Sequence, residues 1–337
     1  WTDPSVGLRA FIAIHNTTLG PGLGGCRMWP YASEAEALED ALRLSRGMTY
    51  KAAAAGLDLG GGKAVLLGDP HADKSEALFR RFGQFVDTLS GKYITAEDVG
   101  VSPEDMVQVR RETAHVTGLP ESHGGGGNPS PVTAYGVYLG MKACAKVRYG
   151  SESLSGKVVL VQGVGHVGRH LVAHLVKENA RVKVADLHEQ AVAEVAQEYG
   201  VGVIPPEAVY EAEMDVYAPC ALGATVNAHT LPQLKCDIIA GAANNQLADE
   251  ERDGQAVMEH NLLYAPDFVT NAGGLINCYT ELEGYDRKRA MARTEQIHDR
   301  LLEILRKAEA EHIPTYLVAN RMAEQRIEAI GRLRLTA

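Results

Sequence analysis

Apolar positions along the chain recur with two periods that trade places from one end to the other. Residues 8–14, LRAFIAI, alternate loosely and predict a strand. NTTLGPGLGG at 16–25 is rich in turn formers and is expected to be irregular. From Ser33 to Met48 the apolar residues fall at helical spacing. Ser33 suits the N-cap, and Glu36, three residues on, completes a capping-box pattern. KAVLLG at 63–68 and KYITAED at 92–98 predict strands, with a helix over 74–89 between them. Pro103 opens another helix that is expected to end near Gly118.

The stretch 118–136 carries the run Gly124–Gly127 and three prolines, which predicts a loop or hinge. A helical pattern returns over 132–148. KVVLVQ at 157–162 is a short buried-strand run, followed at once by Gly163-x-Gly165-x-x-Gly168, a helix to about Asn179, and a strand at 181–186 ending in Asp186. Further strands are expected at 201–204, 215–218, 236–240 and 262–265. From about Arg287 the chain reads as amphipathic helix, with Ile297, Leu301 and Leu305 at four-residue steps. The pattern predicts an α/β protein of two domains, with the boundary expected at about 131/132.

Composition narrows the function. The 337 residues are too many for one ordinary core. A net charge of −10 gives no general attraction to nucleic acid or anionic membrane. No apolar run approaches the roughly 20 residues needed to cross a bilayer, and no basic-then-apolar secretory signal opens the chain. The first residue is Trp1, so residues upstream are expected. The five cysteines are scattered without a C-x-x-C, which suits reduced thiols in the cytoplasm. The twelve histidines show no metal-site spacing, so no metal is expected.

The glycine motif has the context that a dinucleotide needs: strand before it, helix after it, and an acid closing the second strand. Gly163 permits the tight turn, Gly165 lets the backbone approach a pyrophosphate, and Gly168 lets helix and strand pack. Free N–H groups at the helix start then face the phosphates. Asp186 is placed to accept hydrogen bonds from the adenine ribose. No arginine follows it in ADLHEQ, which favours NAD over NADP.

GMTYKAAAAGLDLGGGKAVLLGD, residues 47–69, sets Lys51 and Lys63 in lean surroundings. Two ammonium groups in one small pocket repel, and burial penalises their charge. Such a pair can divide its labour, one holding an anion and the other serving as base or hydrogen-bond donor. The glycines before Lys63 are read as room for a substrate, and Asp98 in TAEDVG as a carboxylate for proton transfer. The alternative is two solvated lysines beside a glycine turn.

Together LGPGLGGCRM, DALRLSRGMTYK, GGGKAV, YITAEDVG, GNPSPVTAYGV, APCALGATVN, IAGAANNQL and NAGGLIN resemble the amino-acid dehydrogenases of the glutamate/leucine/phenylalanine/valine superfamily, nearest its leucine-type members. The resemblance covers nearly the whole chain. It implies NAD-dependent oxidative deamination of an L-amino acid to a 2-oxo acid and ammonia, with residues 1–131 expected as an α/β substrate domain on which helices at about 312–337 pack back, 132–311 as a Rossmann-type doubly wound nucleotide domain, and a cleft between them. Lys51 would bind the substrate carboxylate with an amide from Asn245. Lys63 would contact the carbonyl oxygen or attacking water, and Asp98 would move protons at the substrate nitrogen. Thr133, His166, Val167, Cys220, Ala221 and Asn244 would join the glycine turn in holding NAD.

Where glutamate-specific relatives carry a lysine, this chain has Leu23. Burying a second carboxylate there without a cation is costly, so an apolar side chain is expected. The resemblance lines its pocket with Gly24, Met48, Ala96, Thr117, Leu275 and Cys278. Ala96 is the leucine-like choice and Leu275 also occurs in phenylalanine-type members. Leucine, isoleucine and valine are the expected substrates, phenylalanine the alternative, and an NAD-binding sensor without catalysis the alternative from another class. Family members form symmetric dimers, hexamers or octamers, so a homo-oligomer is expected.

Overall fold

In the computed structural model, which describes residues 1–334, the chain divides into two units. The first comprises Trp1–Pro129, Leu275–Ala290 and the residues from Ala323 onward, and the second Ser130–Gly274 and Met291–Met322.

The first unit is built on a five-stranded mixed sheet, ordered β1-β2-β4-β3-β5, of β1 (Thr2–Asp3), β2 (Leu8–Asn16), β3 (Gly22–Trp29), β4 (Gly60–Leu67) and β5 (Tyr93–Glu97). Strand β3 runs parallel to both β4 and β5, whereas β2 is antiparallel to β4. Residues 22–25, expected to be irregular, are therefore an inner strand. Its glycines conceal it from a reading by propensity, yet they are what the sheet needs. A Cβ on Gly24 would stand 1.7 Å from the Gly62 carbonyl oxygen, and one on Gly25 2.4 Å from that of Glu97.

Three helices pack on this sheet. Helix α1 (Glu34–Ala54) starts where expected: the Ser33 hydroxyl accepts from the Glu36 N–H at 3.2 Å, and the Glu36 carboxylate accepts from Ala32 N–H at 3.0 Å. It runs past Met48 because TYKAAA favours helix, and this places Lys51 in its last turn. Helix α2 (Glu76–Asp87) buries Leu78, Phe79, Phe82 and Val86. Helix α3 (Pro103–Arg110) is capped by Ser102 and Asp105. It ends short of Gly118 because the following chain pairs with β5 instead: Thr95 and Val116 form a bridge, and Thr117 N–H donates to the Thr95 carbonyl at 2.8 Å.

The second unit begins with α4 (Ser130–Tyr149) and carries a six-stranded, all-parallel sheet ordered β11-β10-β9-β6-β7-β8. Its strands are β6 (Val158–Gln162), β7 (Arg181–Ala185), β8 (Gly202–Val203), β9 (Val216–Pro219), β10 (Ile238–Ile239) and β11 (Leu263–Tyr264). Helices α5 (His166–Lys177), α6 (Glu189–Tyr199), α7 (Glu250–Glu259) and α8 (Asp267–Thr270) connect or follow them. This is the doubly wound dinucleotide-binding order, with the strand order reversing between β6 and β9.

The chain ends in α9 (Gly273–Glu281), α10 (Arg287–Glu311) and α11 (Thr315–Arg334). Two segments differ from the expected partition. Residues 275–290, expected in the nucleotide domain, belong to the first unit, where the Glu281 carboxylate accepts hydrogen bonds from Gly118, Leu119 and Gly126 N–H. The C-terminal return starts at Ala323 rather than 312. Tyr316 packs in the core of the second unit, whereas Arg326 donates to the Leu57 carbonyl in the first. Residues 335–337 of the expected return lie outside the described residues.

Candidate active site

Lys63 projects from β4 and is only 5% exposed. Its Nζ lies 2.9 Å from Oδ2 of Asp98, the residue that follows β5. Asp98 Oδ2 also accepts from Arg27 Nε on β3 at 2.9 Å, and Arg27 Nη1 donates to Asp40 Oδ2 at 3.0 Å. Tyr31 and Arg43 bind the same Asp40 carboxylate at 2.6 and 2.7 Å. The outcome is a row of alternating charge from the exposed Arg43 inward to Lys63. Burial by itself would raise the Asp98 pKa. Lys63 and Arg27 outweigh it and hold the carboxyl below its ordinary range, so Asp98 is ionised at neutral pH. Arg27 gave no signal in the sequence, because only strand pairing brings it to Asp98.

The three glycines before Lys63 have another purpose than the one expected. They lie inside β4, and their missing side chains are replaced by the protein's own atoms. A Cβ on Gly61 would be 2.2 Å from both the backbone nitrogen and Oγ1 of Thr49, one on Gly62 2.6 Å from the Tyr93 ring, and one on Gly60 1.9 Å from the Asn16 carbonyl oxygen. Their bareness seats α1, with Lys51, directly on the strand that holds Lys63. Lys51 is half-buried, three residues beyond Met48 on that helix.

Several of the small and apolar residues expected to line the side-chain pocket meet in pairs. The Met48 side chain would touch a Cβ on Gly24 at 3.3 Å. Gly25 pairs with Ala96 across β3 and β5, and a Cβ on Gly118 would meet that of Ala96 at 3.6 Å. The Cys278 side chain lies near that of Thr117, which is buried and donates its hydroxyl to the Thr95 carbonyl at 3.4 Å. Leu275 lies three residues earlier on α9 and is 6% exposed. Leu23, paired with Gly61 and Ile94, is 2% exposed with no cation in its place.

Glu97, next to Asp98, is a residue the sequence reading passed over. Burial, with Glu104, Glu281 and Asp98 nearby, pushes its pKa from 4.5 up to about 7. The folded protein thus binds a proton here that the unfolded chain has already released. Its stabilising effect is complete below about pH 4.5 and is lost as pH rises through 7. Glu97→Gln is expected to raise the melting temperature at pH 9 by several degrees and to leave it nearly unchanged at pH 5. Equal shifts at both pH values would contradict this titration.

In the second unit the glycine turn has the geometry that a pyrophosphate requires. Gly163 has φ +104, and a Cβ on it would lie 2.6 Å from Ala221 N; one on Gly168 would lie 1.9 Å from the Gly163 carbonyl oxygen. A Cβ on Gly165 would meet nothing within 4 Å. Helix α5 begins there with no side-chain cap, and His166 is exposed while Val167 is half-buried. The turn thus leaves open backbone and an uncapped helix start at the strand-order reversal, which fits a dinucleotide. Asp186 Oδ2 accepts from Val164 N–H at 2.8 Å and Oδ1 from His188 N–H at 2.9 Å, so the acid also ties the end of β7 to the turn. Cys220 N–H donates to the Gln162 carbonyl at 2.7 Å, which sets Cys220 and Ala221 beside Gly163. Leu187 and Leu222, 82% and 73% exposed, follow Asp186 and Ala221 directly. Asn244 and Asn245 are exposed, Asn245 with φ +52. Asn271 Nδ2 donates to Asn244 Oδ1 at 2.8 Å. Thr133 is 9% exposed near the start of α4, whose backbone would lie within 3 Å of a Cβ on Gly273.

Among the described residues no cluster of three or more His, Cys, Asp or Glu side chains could hold a metal ion, and no helix is long and apolar enough to cross a membrane.

Comparison with known proteins agrees with this geometry. Residues 3–115 match the family model described as the Glu/Leu/Phe/Val dehydrogenase dimerisation domain, and 182–329 the model for glutamate/leucine/phenylalanine/valine dehydrogenase. A leucine dehydrogenase of Geobacillus stearothermophilus is 56% identical over 98% of this chain and 90% of its own length. A phenylalanine dehydrogenase of Bacillus thermotolerans is 47% identical over 98% and 87%. The crystal structure of L-tryptophan dehydrogenase from Nostoc punctiforme superposes with a TM-score of 0.87 at 43% identity, covering 98% of this chain and 95% of that one. The chain belongs to the glutamate/leucine/phenylalanine/valine dehydrogenase family and is an amino-acid dehydrogenase.

Proposed function

We infer that the protein catalyses the reversible, NAD-dependent oxidative deamination of a branched-chain L-amino acid (leucine, isoleucine or valine) to its 2-oxo acid, ammonia and NADH. The observation that carries this reading is the ion pair of buried Lys63 with half-buried Asp98, in the unit where Leu23 is an apolar residue with no cation in its place. The higher identity to leucine than to phenylalanine dehydrogenases supports the aliphatic choice. Leu275 is the residue that favours the phenylalanine alternative.

In this reading Lys51 holds the substrate carboxylate as a fixed cation, and Asn245 is the amide partner that the family resemblance gives it. Asp98, ionised, takes a proton from the substrate ammonium, which frees the nitrogen lone pair. The Cα–H bond then breaks as the C=N bond forms, and bound NAD supplies the acceptor for that hydride. Asp98 passes that first proton to solvent; water then attacks the iminium carbon and gives one proton to Asp98, while Lys63 donates a hydrogen bond to the oxygen that gathers charge as the proton leaves. Asp98 hands this second proton to nitrogen, and as the C–N bond breaks the remaining hydroxyl proton is lost to solvent through Asp98, which releases ammonia and the 2-oxo acid. NAD is proposed to lie on the Gly163–Gly168 turn with its ribose on Asp186, Val167 and Thr133 alongside, and the exposed faces of Leu187 and Leu222 to flank its adenine. Asp186→Ala is expected to raise the KM for NAD about tenfold or more and to leave the KM for leucine within about twofold. An unchanged NAD KM would place the ribose elsewhere.

A homo-oligomer and a cytoplasmic location complete the proposal. Trp29, Leu42 and Val99 are each about half exposed within the stretch matched by the dimerisation-domain model, and all five cysteines are free. The activity is tested by NADH formation at alkaline pH with L-leucine, L-isoleucine, L-valine, L-phenylalanine and L-glutamate. Turnover of the three aliphatic substrates, weaker turnover of phenylalanine and none of glutamate is expected. NAD binding without NADH formation from any of them would identify a sensor instead.

A further inference from the structure

Glu281 closes α9 and sends its carboxylate into the turn of a loop far away in sequence. Oε2 accepts from Gly118 N–H at 2.9 Å and from Leu119 N–H at 3.4 Å, and Oε1 accepts from Gly126 N–H at 2.9 Å. Gly118 has φ +72, the left-handed turn that aims its N–H at this carboxylate. On its other side the same segment is pinned to β5, because Thr117 N–H donates to the Thr95 carbonyl at 2.8 Å. One short piece of chain, 117–118, is thus held on one side by the β5 backbone and on the other by the Glu281 carboxylate of α9.

The same helix carries Cys278 three residues before Glu281 and Leu275 three before Cys278, so each is a neighbour of the next along the helix surface. The Cys278 thiol lies near the Thr117 side chain, and Gly118 abuts Ala96. The separation of α9 from β5, and with it the width of the space between Leu275, Cys278, Thr117 and Ala96, is therefore fixed at the position where Glu281 grips the loop. Three backbone donors on one half-buried carboxylate form a joint that is loosened once the carboxylate is removed, since each donor then loses the partner it has here.

We propose that Glu281 is a positioning residue for substrate specificity: it never touches the substrate, and it sets the width of the side-chain pocket by clamping the 118–126 loop to α9. The proposal rests on the branched-chain reading, since it assigns the gauge of that same pocket.

The test is Glu281→Gln and Glu281→Asp, each assayed with L-leucine, L-valine and L-phenylalanine alongside melting temperature. The glutamine turns an NH2 toward backbone N–H donors and opens the clamp. The expected result is a leucine KM raised about tenfold, kcat within about threefold, and a phenylalanine-to-leucine ratio of kcat/KM raised at least about fivefold. The aspartate keeps both acceptors on a stem shorter by one methylene and draws the loop toward α9, so the ratio is expected to fall. The KM for NAD is expected to stay constant in both. A lower melting temperature with unchanged leucine KM and unchanged ratio would overturn the proposal and leave Glu281 a structural residue. If the glutamine variant does not fold, an unchanged ratio in the aspartate variant overturns it equally. Wild-type enzyme run in parallel separates the two readings: no turnover of any branched-chain substrate removes the functional reading and this inference with it, whereas normal wild-type selectivity with unaltered variants removes only the inference.

Discussion

Lys63→Ala is expected to lower kcat for L-leucine at least about 1,000-fold, equivalent to about 4 kcal/mol of barrier, while the dissociation constant for NADH stays within about threefold. The asymmetry follows from the two-unit fold. Lys63 lies on β4 of the first unit, and the open glycine turn belongs to the second. Its loss also removes from Asp98 a cation at 2.9 Å, while Arg27 stays on the same carboxylate oxygen. A partly desolvated carboxylate that loses such a partner binds a proton more readily. The residual activity should therefore shift its acidic limb toward higher pH. Lys63→Met, of similar length without the charge, should behave like the alanine variant; activity near that of wild type in either would remove Lys63 from the chemistry. Comparable weakening of NADH binding would show that it serves the cofactor.

The second large effect concerns stability. Gly61→Ala would put a methyl group 2.2 Å from the Thr49 backbone nitrogen, where ordinary contacts need about 3.5–4 Å. No flexible side-chain end can yield there, so α1 must lift from β4. The expected cost is about 3 kcal/mol or more, read as a fall of about 10 °C in melting temperature. Because α1 carries Lys51 and β4 carries Lys63, leucine turnover is expected to fall even where the variant is folded. Gly47→Ala provides the contrast: the position is exposed on α1 and an added Cβ meets nothing within 4 Å. There the same substitution should stabilise by about 0.5–1 kcal/mol through helix propensity. Equal effects at the two positions would show that the close approach of α1 to β4 is not what those glycines provide.

These two glycines illustrate what the chain discloses by itself. The Ser33 cap, the buried run before Gly163 and the acid at Asp186 were legible because each is local: period, cap and turn chemistry lie within a few neighbouring residues. The Lys63–Asp98 pair was legible only as two separate motifs, since the contact between them depends on the order of β4, β3 and β5. The first four residues of β3, 22–25, read as irregular because propensity scores their glycines as breakers, whereas the need for them is tertiary, set by the Gly62 carbonyl of β4 and the Glu97 carbonyl of β5. Arg27 and Glu281 were invisible for the same reason. Each is an ordinary charged residue in sequence, and its partner lies 71 residues away for Asp98 and 163 for Gly118.

The most direct test of the proposed chemistry follows one atom. With L-[2-²H]leucine and NAD, the protein is predicted to give NADH carrying deuterium on the nicotinamide ring, one deuteron per 2-oxo acid formed, detected by mass spectrometry. Deuterium released to solvent, or 2-oxo acid formed without labelled NADH, would contradict direct hydride transfer from Cα and the deamination built on Lys63 and Asp98.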